Sequence, residues 1–152
     1  MKISVIIPTY NREEHLINCL FSLFKQTKKP LEILVIDNSD NSYAKKVVNT
    51  FEEKFKLQNI SIYSFKNSIN SGAIARNLGA SKAKGDLIAF LDDDVLLDSN
   101  YYEEIEKVLL HELVHALNID KHVMNYSDYI DRKIKCNFNI NNKNNINFYE
   151  AY

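Results

Sequence analysis

The chain has no tryptophan and, in 152 residues, only three glycines, two prolines and two cysteines. So little glycine and proline excludes collagen-like and linker-like architectures. Cys19 and Cys136 cannot build a disulfide framework, and neither stands in a Cys-x-x-Cys metal knuckle, so a reducing, intracellular compartment is expected. The net charge of −1, without a basic block, excludes the electrostatic footprint of a nucleic-acid-binding protein. No apolar run approaches the ~18 residues needed to cross a bilayer. The apolar part of "MKISVIIPTYN" is too short for a secretory signal and is interrupted by Pro8. What remains, 45% apolar and 26% charged residues, is the composition of a soluble globular chain long enough for one real core.

Periodicity supplies the elements. "KISVIIP" is a continuous β-branched run ended by proline, as expected of a strand covered on both faces. "REEHLINCLFSLFKQ" places Leu16, Leu20, Leu23 and Phe24 at helical spacing behind an acidic first turn. "LEILVID" predicts a second buried strand, and "YAKKVVNTFEEKFK" a helix with Val47, Val48, Phe51 and Phe55 on one side. "NISIYSF" alternates like a third strand, "SGAIARNLGASKAKG" predicts a small-residue helix stopped by Gly85, and "DLIAFL" a fourth strand. A further helix is expected over roughly 99–118. Four alternations of strand and helix predict an α/β fold, a mainly parallel sheet with helices on both faces. In such sheets ligands bind beyond the carboxyl ends of the strands. The polar residues gather there: Thr9 to Arg12, Asp37 to Asp40, and Asp92 to Asp94. Between Asn137 and Asn147, seven of eleven residues are asparagine, which predicts no regular element. A core over 1–120 followed by a poorly ordered or weakly packed tail over 121–152 is therefore expected.

"FLDDDV" sets three carboxylates side by side. Alternation of an extended backbone puts Asp92 and Asp94 on one side and Asp93 on the other. Two carboxylates converging at a strand end suit Mg²⁺ or Mn²⁺, with phosphates completing the coordination, and a bound cation relieves their repulsion. The competing reading is a solvated turn in which one aspartate caps the next helix.

The stretches "ISVIIPTYNREEHLINCLFSLFKQT", "EILVIDNSDN" and "NSGAIARNLGASKAKGDLIAFLDDDV" resemble, in order and spacing, the successive motifs of family 2 glycosyltransferases, over about residues 2–110. That resemblance implies a Rossmann-like GT-A fold that binds a nucleoside-diphosphate sugar, UDP-linked in the favoured reading, and transfers the sugar with the help of Mn²⁺ or Mg²⁺. It implies that Pro8, Thr9, Tyr10, Asn11 and Arg12 lie against the nucleoside and that Asp37 reads the base or ribose. Gly72, Arg76 and Asn77 fall beside the nucleotide and its phosphates. Asp92 and Asp94 match the Asp-x-Asp element as metal ligands, and Asp92 and Asp93 fall on the nucleotide sugar. The chemistry suits these groups. A cation on the departing diphosphate acts as a Lewis acid, and Tyr10 offers a ring face to a base. Other roles stay open: Arg76 as an ordinary ion-pair residue, Asn11 and Asn77 as turn or cap residues. The resemblance further implies a glycan or lipid-linked acceptor and a cytoplasmic protein, with peripheral attachment to the inner membrane face compatible with it.

Two features sit awkwardly with that reading. In inverting enzymes of that family a catalytic base, usually Asp or Glu, follows well after the Asp-x-Asp element; here Asp128 and Asp131 are only guesses, so the acceptor half is expected to be shortened or replaced. A non-catalytic nucleotide-binding remnant is thus an alternative. The second feature is "HELVH", His111-Glu112-x-x-His115, the spacing with which zinc peptidases hold their metal. Residues 108–124 partly resemble a metzincin helix. Yet Lys121 stands where the third histidine belongs, His122 is one residue late, Asn118 replaces the turning glycine, and Met124 follows almost at once. At roughly 100° per residue, Ile105, Leu109, Leu113, Ala116 and Leu117 make one apolar stripe with both histidines on the other side.

Overall fold

The structure, a computed structural model, describes residues 1–116 and 149–150. The chain divides into two units, residues 1–100 with 148–152 and residues 101–147. The first holds strands β1 (Ile3–Thr9), β2 (Glu32–Asp37), β3 (Ser61–Lys66), β4 (Leu87–Phe90) and β5 (Tyr149–Glu150). It also holds helices α1 (Glu13–Phe24), α2 (Tyr43–Lys56) and α3 (Gly72–Lys82). The strands form one parallel sheet in the order β3-β2-β1-β4-β5. The second unit contributes α4 (Tyr101–Ala116), in which Lys107 bridges Glu103 and Glu104 one turn behind it.

Sheet register explains why β1 can end in proline. The carbonyls of Ile3 and Thr9 face β2, accepting from Leu31 and Asn38, whereas those of Lys2 and Ile6 face β4, accepting from Leu87 and Leu91. Alternation turns Pro8 toward β4 as well, but pairing with β4 ends at Ile6 with Phe90, so the missing N–H breaks no ladder bond. β1 and β2 are sealed on both faces, as their unbroken apolar runs predict. β4 is instead half-buried along its whole length, and among the described residues only the two-residue β5 lies beyond it. β3, the edge strand, alternates.

On one face, Ile6, Leu34, Ile36 and Ala75 make a core under α3, and each fully buried aliphatic side chain of this kind stabilises the fold by ~1.5–3 kcal/mol. Gly79 lets α3 sit this low, because a Cβ there would come 2.4 Å from Cγ2 of Ile6. The opposite sheet face is covered by α1 and α2, which interlock through edge-on rings, Phe21 on Phe51 and Phe24 on Phe55. The end of α3 departs from expectation. The helix stops at Lys82 with Ala83 extended, and no glycine has positive φ, so Gly85 is not a left-handed cap. Gly85 is needed for space: a Cβ would lie 2.7 Å from the Lys2 carbonyl oxygen and the Ser4 nitrogen. Its N–H donates to Ser4 Oγ, which donates to the buried Glu32 carboxylate, and Lys84 N–H donates to the same Glu32 oxygen.

Candidate functional site

The carboxyl ends of β1, β2, β3 and β4 are stitched together by polar side chains. The loop after β1 turns through Asn11, whose φ of 52° lies in the left-handed region that asparagine tolerates. That turn is fixed from the β2 loop, since Asn11 N–H donates to Ser39 Oγ at 3.0 Å and Asn41 Nδ2 donates to Asn11 Oδ1 at 3.3 Å. Asp37 ends β2, buried, with Oδ1 accepting the Ser39 N–H at 2.9 Å and Oδ2 lying 3.5 Å from Lys66 Nζ. Asn67, directly after β3, joins the loops by donating to Asn38 Oδ1 at 2.7 Å and to the Ile69 carbonyl at 2.6 Å.

The aspartate triplet joins this ring from β4. Asp93 is buried, while the side chains of Asp92 and Asp94 are about half exposed. The triplet is not extended, a correction to the expectation from alternation, but turns, with Val95 N–H donating to the Asp92 carbonyl at 3.2 Å. Each has a cationic partner. Arg76 Nη2 donates to Asp92 Oδ1 at 2.8 Å, and Arg12 Nη1 donates to Asp94 Oδ2 at 2.9 Å and to Asp93 Oδ1 at 3.3 Å. The charge of Asp93 first, then that of Asp94, raises the Arg12 guanidinium above its already high pKa. Beneath this layer, Asp93 Oδ2 takes the Thr9 hydroxyl at 2.7 Å. A carboxylate only accepts, so the Thr9 proton is committed to Asp93 and the Tyr43 hydroxyl must donate to Thr9. Tyr43 Oη in turn accepts the Arg12 N–H at 3.3 Å. The relay is therefore directional: Arg12 N–H to Tyr43, Tyr43 to Thr9, Thr9 to Asp93. Cys19 lies behind the triplet with Sγ 3.7 Å from the Asp92 carbonyl, and burial pushes its thiol up to about 12.

Thr9, Arg12, Arg76, Asp92, Asp93 and Asp94 are thus brought together by direct contacts, and Ser39 ties Asp37 to Asn11, the chain neighbour of Arg12. Pro8 is half-buried at the end of β1 and Tyr10 exposes its ring at 43% on the loop beside it. Gly72 opens α3. Asn77, exposed on α3, takes no part in the contact that joins Arg76 to Asp92. Sequence reasoning passed over Tyr43, Ser39, Lys66 and Asn67. A signal existed for two of them: Tyr43 stands four residues before Val47 at the start of an amphipathic helix, and Asn67 directly follows a strand.

A divalent cation fits the donor set. Oδ2 of Asp92 and Oδ1 of Asp94 are hard oxygens without a partner among the described residues, and no three His, Cys, Asp or Glu side chains there group around one ion. Two carboxylates leave most of an ion's coordination to its ligand, the arrangement suited to a cation arriving with a diphosphate. For the histidine motif, His111 and Glu112 are half-buried on α4, whereas the side chain of His115 and residues Asn118, Lys121, His122 and Met124 lie outside the described residues. Asp128, Asp131 and nearly all of the expected 121–152 tail do too.

The family model described as glycosyl transferase family 2 matches residues 4–149. The chain belongs to that family. An uncharacterized glycosyltransferase of Haemophilus influenzae is 32% identical over 114 residues, covering 74% of this chain and 44% of the relative. Glycosyltransferase GlyG of Streptococcus pneumoniae is 28% identical over 128 residues, 84% of this chain and 40% of its own length. Among solved structures, S. aureus TarS 1-349 in complex with UDP-GlcNAc superposes with a TM-score of 0.56 at 29% identity, covering 76% of this chain and 32% of that one. This family 2 chain therefore spans less than half the length of these relatives. Its parallel α/β sheet is the GT-A arrangement that the sequence motifs implied.

Proposed function

We propose that the chain is the nucleotide-sugar-binding portion of a glycosyltransferase that moves a sugar from a UDP-linked donor to a glycan or lipid-linked acceptor, assisted by Mn²⁺ or Mg²⁺. One observation carries this reading: the residues after β1, β2 and β4, together with Arg76 on α3, meet in one hydrogen-bonded cluster at the carboxyl end of the sheet. The UDP-GlcNAc complex of the TarS relative supports the choice of donor class.

Each group has a task. Tyr10 lays its exposed ring against the base, with Pro8 and Asn11 shaping the loop and Asp37 accepting from a base N–H or a ribose hydroxyl. Arg76, at the Gly72 end of α3 with Asn77 beside it, pairs with phosphate oxygens. Asp92 and Asp94 would hold the cation, which supplies Lewis-acid stabilisation to the departing diphosphate. Asp93 stays with Thr9 and keeps its two neighbours aimed outward. Work at the cytoplasmic side, at or near the inner face of a membrane, belongs to the same proposal. No helix among the described residues is long and apolar enough to cross one.

Calorimetric titration of UDP with and without Mn²⁺ tests the reading. Binding should require the metal and should weaken at least about ten-fold in Asp94→Ala, as expected when a charged contact is lost. Metal-independent binding, or binding unchanged in that variant, would refute it.

A further inference from the structure

The three carboxylates of the triplet face two guanidinium groups brought from separate elements, Arg12 from the residue before α1 and Arg76 from α3. The cluster is left with one more negative than positive charge. A divalent ion entering while both arginines stayed would turn it net positive and set like charges against each other at short range. The ion can meet Oδ2 of Asp92 and Oδ1 of Asp94, which are free among the described residues. Each arginine sits on the other oxygen of the same carboxylate, so the less firmly held of the two is the one it repels away.

The geometry says which. Arg12 touches Asp93 and Asp94 through a single nitrogen, Nη1, rather than in a two-pronged clamp, and its side chain is 53% exposed. Arg76 also meets its carboxylate through one nitrogen, so exposure is what separates the two, and the more exposed Arg12 pair is the weaker kind. Its backbone, in contrast, is anchored, because the Arg12 N–H donates to Tyr43 Oη and the Arg12 carbonyl accepts from Leu16 at 3.0 Å. The guanidinium can swing without moving the loop. When it leaves, Asp93 keeps the Thr9 hydroxyl, so no buried carboxylate is orphaned. Arg76 is less free, because its side chain is only 30% exposed.

We propose that Arg12 is the counter-cation of Asp94, which a divalent ion displaces and which a nucleoside diphosphate then receives on its phosphate oxygens. The inference rests on the metal-assisted nucleotide binding proposed above and adds a consequence. The metal alone binds poorly because it must evict Arg12. Diphosphate gives the evicted guanidinium a new partner, so metal and nucleotide strengthen each other's binding, and reciprocally.

Electron paramagnetic resonance titration of Mn²⁺ in the absence of nucleotide, on wild type, Arg12→Gln and Arg12→Lys, separates the possibilities. Arg12→Gln should bind Mn²⁺ alone about 3- to 10-fold more tightly than wild type, the scale of removing one exposed competing ion pair or two. Arg12→Lys, which keeps the competing charge, should stay within about two-fold of wild type. The factor by which Mn²⁺ tightens UDP should shrink in Arg12→Gln. Circular dichroism checks folding, and Arg12→Met supplies a second uncharged side chain should the Gln variant be unfolded. Wild type that binds UDP with Mn²⁺, alongside an uncharged variant that binds Mn²⁺ no more tightly, overturns the role of Arg12 alone. Wild type without metal-dependent UDP binding overturns the reading beneath it as well.

Discussion

Replacing Thr9 by valine keeps the branched shape and deletes one hydroxyl, yet it should be among the costlier single changes in the first unit. The hydroxyl is buried, donates to the Asp93 carboxylate at 2.7 Å and receives the Tyr43 hydroxyl proton. A hydrogen bond to a charged acceptor is worth ~1.5–3 kcal/mol and a neutral one ~0.5–1.5 kcal/mol. Thr9→Val loses both, leaving Asp93 with the longer Arg12 contact only, so a loss of about 2–4 kcal/mol is expected. Tyr43→Phe should be milder, about 1–2 kcal/mol, because it loses the neutral bond to Thr9 and the long contact from the Arg12 N–H while Thr9 still gives its proton to Asp93. The directional relay also predicts non-additivity. Once Thr9 is valine, the Tyr43 hydroxyl has already lost its acceptor, so Tyr43→Phe should add only the long Arg12 N–H contact to the cost of Thr9→Val. Urea unfolding followed by far-ultraviolet circular dichroism reads all three. Equal costs for the two single variants, or a Thr9→Val loss below about 0.5 kcal/mol, would show that the hydroxyls do not pass protons in the order deduced.

Gly79→Ala forces a methyl against Ile6 Cγ2, and overpacking of about 1–3 kcal/mol should outweigh the ~1 kcal/mol that alanine adds to a helix, lowering the urea midpoint. In a Cys136→Ser background, Cys19 should resist a thiol reagent at pH 8 until the chain is unfolded by urea, because its folded thiol titrates near 12; rapid native labelling would contradict the burial. The folded state favours the protonated thiol, so its contribution to stability is whole below the ordinary value of 9.0 and is lost as pH climbs toward about 12.

Much of the sheet was legible because β1 and β2 are apolar without interruption and must be covered on both faces. The strand-end clustering of Thr9, Arg12, Asp37 and Asp92 to Asp94 was legible for a related reason: in a parallel sheet all carboxyl ends share one side. Partners were not. Nothing in the spacing told that Asp92 would meet Arg76 while Asp94 met Arg12, since those contacts depend on how α1 and α3 are seated. Tyr43 was hidden because it reads equally well as the first apolar residue of α2. Gly85 was misread for lack of depth: a glycine past a helix suggests a cap, and only the nearness of Lys2 and Ser4 shows that it makes room for a crossing strand.

The Glu32 staple at the far pole reaches further than its location suggests. Arg76 and Asp92 are separated by sixteen residues, a stretch that descends α3, reverses at Lys84 and Gly85, and climbs β4. By gripping both amides of that reversal, Glu32 and Ser4 turn the stretch into a caliper whose jaws close at the opposite end. Lengthening the reversal by one residue would open the jaws without touching either of them.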